Sequence, residues 1–163
     1  MSNHSAYRTF VDRLSKTKDS AREKSTKKRK SLGLRTAREN LDDLVDPGSF
    51  LEFGAFAVAA QRNRRDYEEL QLETSADGIL TGFCNINEDE VGEDNSHAAA
   101  IIYDYSVLAG SQGFFHHQKL DRICEKAEEF SLPVVIFTEG GGGRPGDTDV
   151  TTQIAGLHIP SFS

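Results

Sequence analysis

This 163-residue chain has no tryptophan, one methionine, two cysteines and four prolines. Cys84 and Cys124 stand far apart and match no metal or redox spacing, so a disulfide framework or zinc site built on cysteine is excluded. Two buried, reduced thiols in a cytosolic protein are the expectation. No apolar run approaches the ~18 residues that a membrane span requires, and no internal repeat is present. The N-terminal stretch MSNHSAYRTF has no apolar core of the secretory kind. Its Lys/Arg/Ser-rich continuation is interrupted by Asp12, Asp19 and Glu23, which an organelle transit peptide would avoid. Hydrophobic residues make up 37%, below the soluble average of roughly 45–50%. The length therefore suits one modest domain, with part of the chain outside its core.

Charge is present but unevenly placed. The net charge is -7, yet residues 1–38 hold 12 of the 19 Lys+Arg and only 3 of the 26 Asp+Glu. A basic arm over 1–35 thus precedes an acidic body over 36–163. Such an arm can meet nucleic acid, anionic phosphates or another acidic surface. No aromatic residues interleave with the basic run 27–30, as single-strand binding would favour. The arm predicts a helix over 5–30 with a thin apolar stripe at Tyr7, Phe10, Val11 and Leu14, suited to lying on another surface. The run Lys27-Lys28-Arg29-Lys30 reads as a solvated hinge.

In the body, Thr36-Ala37-Arg38-Glu39 is a capping box, and Asp46-Pro47-Gly48 stops the helix that it opens. Phe50 to Val58 is expected to be a strand, and 61–76 a loop or short helix. Asp77-Gly78 reads as a turn into a strand over Ile79 to Ile86. After the acidic turn 87–96, the apolar run Ala98 to Tyr103 fits a strand covered on both faces. Leu120, Ile123, Cys124 and Ala127 give the helical stripe of a segment over Phe114 to Phe130, ended by Pro133. Pro133 to Thr138 is read as a further buried strand, which completes a parallel βαβ unit.

That last strand runs into Gly140 to Gly143, then Arg144 and the turn 145–149. A P-loop would need Lys-Ser/Thr after the glycines, and a dinucleotide fingerprint would need them to open directly into a helix. Pro145 and Gly146 argue against both. Asp147 and Asp149 are read as turn-capping carboxylates rather than metal ligands. His116 and His117 are read as local packing or charge residues at a helix N-terminus rather than ligands or acid/base groups. No serine sits on a G-x-S-x-G elbow. Two readings stay open: successive glycine N–H groups forming an oxyanion site, and a loop selected only for its turn.

Four blocks together carry a resemblance. Thr36-Ala-Arg-Glu39 through Leu44-Val-Asp-Pro-Gly-Ser-Phe50 resembles T-A-R-E-R…L-L-D-P-G-S-F, and Asp77 to Gly82 resembles D-G-V-V-T-G. Asp104 to Gly113, followed by His117 and Lys119, resembles D-x-T-V-x-G-G-S-x-G…H…K. Glu139 to Arg144 stands where D-S-G-G-A-R is usual. The chain is therefore similar, over about residues 5–150, to the N-terminal part of the carboxyltransferase component of biotin-dependent acyl-CoA carboxylases, such as acetyl-CoA and propionyl-CoA carboxylases.

This resemblance implies a crotonase-like α/β fold, a spiral of ββα turns of which 36–163 would be an incomplete N-terminal half. It implies carboxyl transfer from N1-carboxybiotin to the α-carbon of acetyl-CoA or propionyl-CoA. Gly141 and Gly142 would hold the thioester enolate oxygen. Ala109, Gly110 and Ser111 would line the CoA side of the crevice, and Arg144 would support the loop or an anionic group. Biotin carried on a separate protein or domain, a biotin carboxylase, a biotin carboxyl carrier and a homo-oligomeric full-length subunit are the implied partners. No metal, nucleic acid or membrane is expected, and the compartment would be the cytoplasm, or the mitochondrial matrix in a eukaryote. Ala109 replaces the first glycine of G-G-S, and Gly140 and Gly143 replace Ser and Ala, which is expected to loosen the loop. The GRPGDTD continuation resembles a subgroup in which the carboxyltransferase belongs to a longer carboxylase. The chain is expected to be a fragment, inactive alone, because half of the active site would lie elsewhere. The alternatives are a crotonase-type hydratase, isomerase or decarboxylase, and a non-catalytic binding module.

Overall fold

The computed structural model describes residues 3–150. The arm forms two helices, α1 (Asn3–Lys16) and α2 (Glu23–Ser31), and not the single helix expected over 5–30. The break falls at 17–22, where Thr17 turns back on Leu14 O and a 3-10 turn follows at Asp19–Ala21. Asp19 is drawn to the body, accepting from Thr36 Oγ1 at 2.5 Å. Much of the apolar stripe of α1 stays in solvent: Tyr7, Phe10 and Val11 are exposed. The helix is held instead by Arg13, which donates to Tyr67 Oη and Phe56 O at 2.8 and 3.0 Å.

Helix α3 (Ala37–Leu44) opens on the expected capping box, with Thr36 Oγ1 accepting from Glu39 N and Glu39 accepting from Thr36 N. The next strand is shorter than expected: β1 spans only Leu51–Phe53, because Gly54 turns left-handed at φ +64° and Ala57 N closes back on Gly54 O. Helix α4 (Tyr67–Glu73) is capped by Asp66. Strand β2 (Ile79–Asn85), two short helices α5 (Glu88–Val91) and α6 (Glu93–Ser96), strand β3 (His97–Tyr103), helix α7 (Phe114–Glu129) and strand β4 (Val134–Phe137) follow.

The four strands lie in the order β1-β2-β3-β4, with β1/β2 and β2/β3 antiparallel and β3/β4 parallel. Strand alternation divides the core between two faces. Ala98, Ala100 and Ile102 of β3 point to the α3 side, joining Ala37, Leu41, Leu80 and Cys84. Ala99, Ile101 and Tyr103 point to the α7 side, joining Ile79, Leu120, Ile123 and Ala127. This is why the 98–103 run is continuously apolar. Strand β4 does not share that burial. Val134, Ile136 and Phe137 are exposed, correcting the expected buried strand. Among the described residues β4 pairs only with β3 and forms the sheet edge.

Gly82 lets β1 close on β2. A Cβ there would stand 2.3 Å from Leu51 O and 2.7 Å from the Phe50 ring. Gly82→Ala is expected to destabilise the fold by about 1–3 kcal/mol through overpacking, measured by urea unfolding. An unchanged midpoint would contradict this packing of β1.

Candidate active site

The carboxyl end of β3 and the carboxyl end of β4 each run into a glycine-containing loop, and the two loops lie side by side. After β3, Asp104 Oδ1 accepts from Ser106 N, and the chain then passes through three consecutive left-handed residues, Leu108, Ala109 and Gly110. After β4 comes Glu139 and the four glycines. Gln112 N donates to Gly142 O at 3.0 Å and Arg144 N to Gln112 O at 2.8 Å, a short parallel bridge between the loops.

Backbone meets backbone one step earlier. A Cβ on Gly110 would stand 2.2 Å from Glu139 O, and one on Gly140 would stand 2.6 Å from Gly110 Cα. Gly140 also has φ +131°, which side-chain-bearing residues rarely adopt. Gly140 is therefore held by packing and not simply loosened, which corrects the expectation drawn from its replacing serine. Gly141 and Gly142, exposed like Gly140, differ from it in having room: a Cβ on either would meet nothing within 4 Å, although Gly142 keeps a left-handed φ of +69°. Their N–H groups donate to no acceptor among the described residues.

Beneath the loops lies a buried charge cluster at the N-terminus of α7. The N-cap, Gly113, supplies no side-chain cap, so two carboxylates from elsewhere take that part. Asp147 Oδ2 accepts from Phe114 N and Asp77 Oδ2 from His116 N, each at 2.8 Å. Their negative charge suits the positive end of the helix. Arg144, 4% exposed, pairs with Asp77 Oδ1 and lies 3.6 Å from Asp147. Its other donors go to Ser111: Nη2 to Ser111 O at 2.7 Å and Nε to Ser111 Oγ at 3.3 Å. Of the two roles left open for Arg144, its contacts are those of loop support. A Cβ on Gly113 would stand 2.3 Å from Arg144 Nη1, so that glycine makes room for the guanidinium.

Asp77 itself sits in a strained turn. Ala76, Asp77 and Gly78 all have positive φ. Lys119 Nζ holds this turn by donating to Ala76 O and to Ile79 O. Burial brings the Lys119 ammonium down to about 8, against the pull of Glu52 and Asp77. His116 and His117 are buried packing residues, as expected. Burial pushes the His116 imidazole down to about 3 despite its bond to Asp77, so the ring is neutral at ordinary pH. Asp149 accepts from Arg62 N and Asn63 N, a turn-capping carboxylate as read from sequence.

The arm reaches the same place. Arg22 pairs with Asp104 at 2.7 Å and also donates to Ser106. Arg29 is buried and forks both oxygens of Glu139, at 2.6 and 2.8 Å. Lys27 and Lys30 are exposed, but Arg29 corrects the reading of this run as a solvated hinge. Between arm and loops lies a cavity of about 570 Å³ lined by Lys24, Lys28, Leu34, Tyr105, Ala109 and Glu139 among others. Sequence reasoning placed Ala109, Gly110, Ser111, Gly141, Gly142 and Arg144 here, and the fold brings them together. The sequence assigns Asp77 only a turn and Arg29 only a place in a solvated run, and it points to no contact for Glu139. Nothing local distinguishes Arg29 from its basic neighbours.

The Carboxyl transferase domain family matches residues 28–157. The chain belongs to the carboxyl transferase family. The beta4 subunit of a biotin-dependent long-chain acyl-coenzyme A carboxylase from Mycobacterium tuberculosis is 32% identical over 144 residues, covering 88% of this chain and 24% of that protein. Among solved structures, a single-chain, multi-domain long-chain acyl-CoA carboxylase superposes with a TM-score of 0.87 at 48% identity, over 96% of this chain and 15% of its own. Transcarboxylase 12S, in a hexamer with methylmalonyl-CoA and methylmalonic acid bound, gives 0.69 at 27% identity, over 91% of this chain and 27% of its own. The fold is thus the crotonase-like carboxyltransferase fold, represented here by the N-terminal half of the domain. The chain spans about a quarter of the length of the curated relatives that it matches.

In this carboxyl transferase chain, Arg144→Met leaves Asp77 buried without its cation. The expected cost is about 3–5 kcal/mol, the usual scale for breaking a buried pair from one side. Chemical denaturation measures it, and a loss below about 1 kcal/mol, the scale of an exposed pair, would contradict the buried network.

Proposed function

We propose that this chain supplies the acyl-CoA half of a carboxyl-transfer site, in which the N–H groups of Gly141 and Gly142 hold the thioester oxygen of acetyl-CoA or propionyl-CoA. The observation that carries this reading is the pair of exposed, side-chain-free N–H donors on a loop whose two ends are fixed. In the enolate form of the acyl group, from which the α-carbon takes up a carboxyl group, the negative charge lies on the thioester oxygen. Preorganised backbone donors stabilise that charge without reorganising. Ala109, Gly110 and Ser111 form the facing wall, and the cavity beyond Ala109 offers Lys24 and Lys28 to the CoA phosphates.

When bound, carboxylated biotin supplies the carboxyl group. The open side of Gly141 leaves room for it, but the described residues form no polar cradle for its ring, so none is assigned to hold it. Arg144 holds the Asp77 and Ser111 walls and does not itself touch substrate. A biotin carboxylase, a carrier of biotin and further copies of the subunit are the partners that this role calls for.

A hydratase or isomerase would need a free carboxylate at the acyl carbons. Around this loop Glu139 is engaged by Arg29, and Asp77 and Asp147 are engaged by Arg144 and the start of α7. A nucleic-acid role for the arm fits poorly, since two of its arginines, Arg22 and Arg29, are buried against the body.

Gly141→Val projects a side chain into open space, so the fold should be kept while the oxyanion position is blocked. In the assembled carboxylase that contains this chain, kcat for carboxyl transfer to acyl-CoA is expected to fall about 10²–10³-fold. Unchanged turnover would remove Gly141 from the site.

A further inference from the structure

We propose that Arg29 of the basic arm is a positioning residue for the glycine loop: it fixes Glu139 and neutralises its carboxylate, which makes the arm part of the carboxyl-transfer site. This rests on the reading of Gly141 and Gly142 given above.

Glu139 is the last side chain before four glycines, so it alone can anchor that end of the loop through a side chain. The other end is anchored by Arg144. Between the two anchors the loop is held by the Gln112 bridge and by the close approach of Gly140 to Gly110. The Glu139 carbonyl is the atom that presses against Gly110. A shift of Glu139 therefore moves the Glu139–Gly140 peptide, from which the chain leads directly into the peptides that carry the Gly141 and Gly142 N–H groups.

Arg29 is placed to prevent that shift. Its guanidinium donates to both Glu139 oxygens and, through Nε and Nη2, to Arg35 O at 3.0 and 2.7 Å. The planar fork is thereby committed to a carboxylate on one side and a backbone carbonyl on the other. A planar, bidentate pair fixes direction as well as distance. Arg29 also borders the 570 Å³ cavity, but the cations left to face a phosphate there are Lys24 and Lys28. Arg29 is a buttress and those lysines are not.

Charge adds a second effect. A bare carboxylate at the loop's entrance would oppose negative charge growing on a thioester oxygen held two or three residues further on. Arg29 cancels it. The burial of Arg29 against the half-exposed Glu139 makes the arm the fixed partner and the loop the part that is held.

The test has two arms. In the full 163-residue chain, Arg29→Ala should shift or broaden the backbone amide resonances of Gly140 to Gly143 while those of β2 and β3 stay in place, and Arg29→Lys should restore part of the change. In the assembled carboxylase, Arg29→Ala should lower kcat about 10- to 100-fold, the scale of a misplaced catalytic group, with KM for acyl-CoA little changed. The Arg29→Ala/Glu139→Gln double variant should recover activity relative to Arg29→Ala, because no carboxylate is then left bare. If Arg29→Ala does not fold, Glu139→Gln carries the loop comparison, since the bonds from Arg29 to Arg35 remain. Unmoved loop resonances in a folded Arg29 or Glu139 variant would overturn the proposal, as would losses in the double variant that simply multiply. A wild-type enzyme that transfers no carboxyl group would refute the catalytic reading alone, because the amide spectra would still decide whether Arg29 sets the loop.

Discussion

The Asp77–Arg144 pair is the interaction on which the site depends. Both partners are buried, and each has work beyond the pair. Asp77 caps the start of α7 and sits in a left-handed turn ahead of β2. Arg144 ends the glycine loop and holds the Ser111 loop by two bonds. A buried charge left unpaired is costly, whereas the pair itself adds little net stability over an apolar substitute. Its value here lies in specificity. It ties the start of β2, the N-terminus of α7 and both loops to a single point, so none can move without exposing or orphaning a charge.

Glycine then acts at two different levels. Gly110, Gly113 and Gly140 are required because backbone or guanidinium atoms occupy the space of a Cβ. Gly141 and Gly142 have free space around them; Gly142, at φ +69°, favours glycine by its backbone, whereas Gly141 has neither a crowding neighbour nor a left-handed φ to require it. A run of four glycines is thus fixed at both ends and bare only in the middle. Oxyanion stabilisation needs that combination, since donors help only when they are already in place.

Local signals were legible in the sequence and non-local ones were not. The capping box at Thr36, the 3.6-residue stripe of α7 and the continuous apolar run of β3 each arise within one segment and were read correctly. The two glycine loops stand out in the sequence because their patterns sit in a recognisable order along the chain, and the fold sets them side by side. The exposure of β4 could not be read, because an apolar run does not reveal whether both faces find partners. The break between α1 and α2 depends on Asp19 reaching Thr36. The role of Arg29 depends on Glu139, more than a hundred residues away. Within a run of four basic residues, only the fold shows which one is buried.

The N–H groups of Gly141 and Gly142 are proposed as the oxyanion site. The most direct measurement is an experimental structure of the assembled carboxylase with an acyl-CoA bound. The thioester oxygen is expected at about 3 Å from the Gly141 or Gly142 nitrogen, within hydrogen-bonding range, with the pantetheine passing along Ala109 to Ser111. A thioester oxygen bound by other donors, with both glycine N–H groups facing solvent, would contradict it.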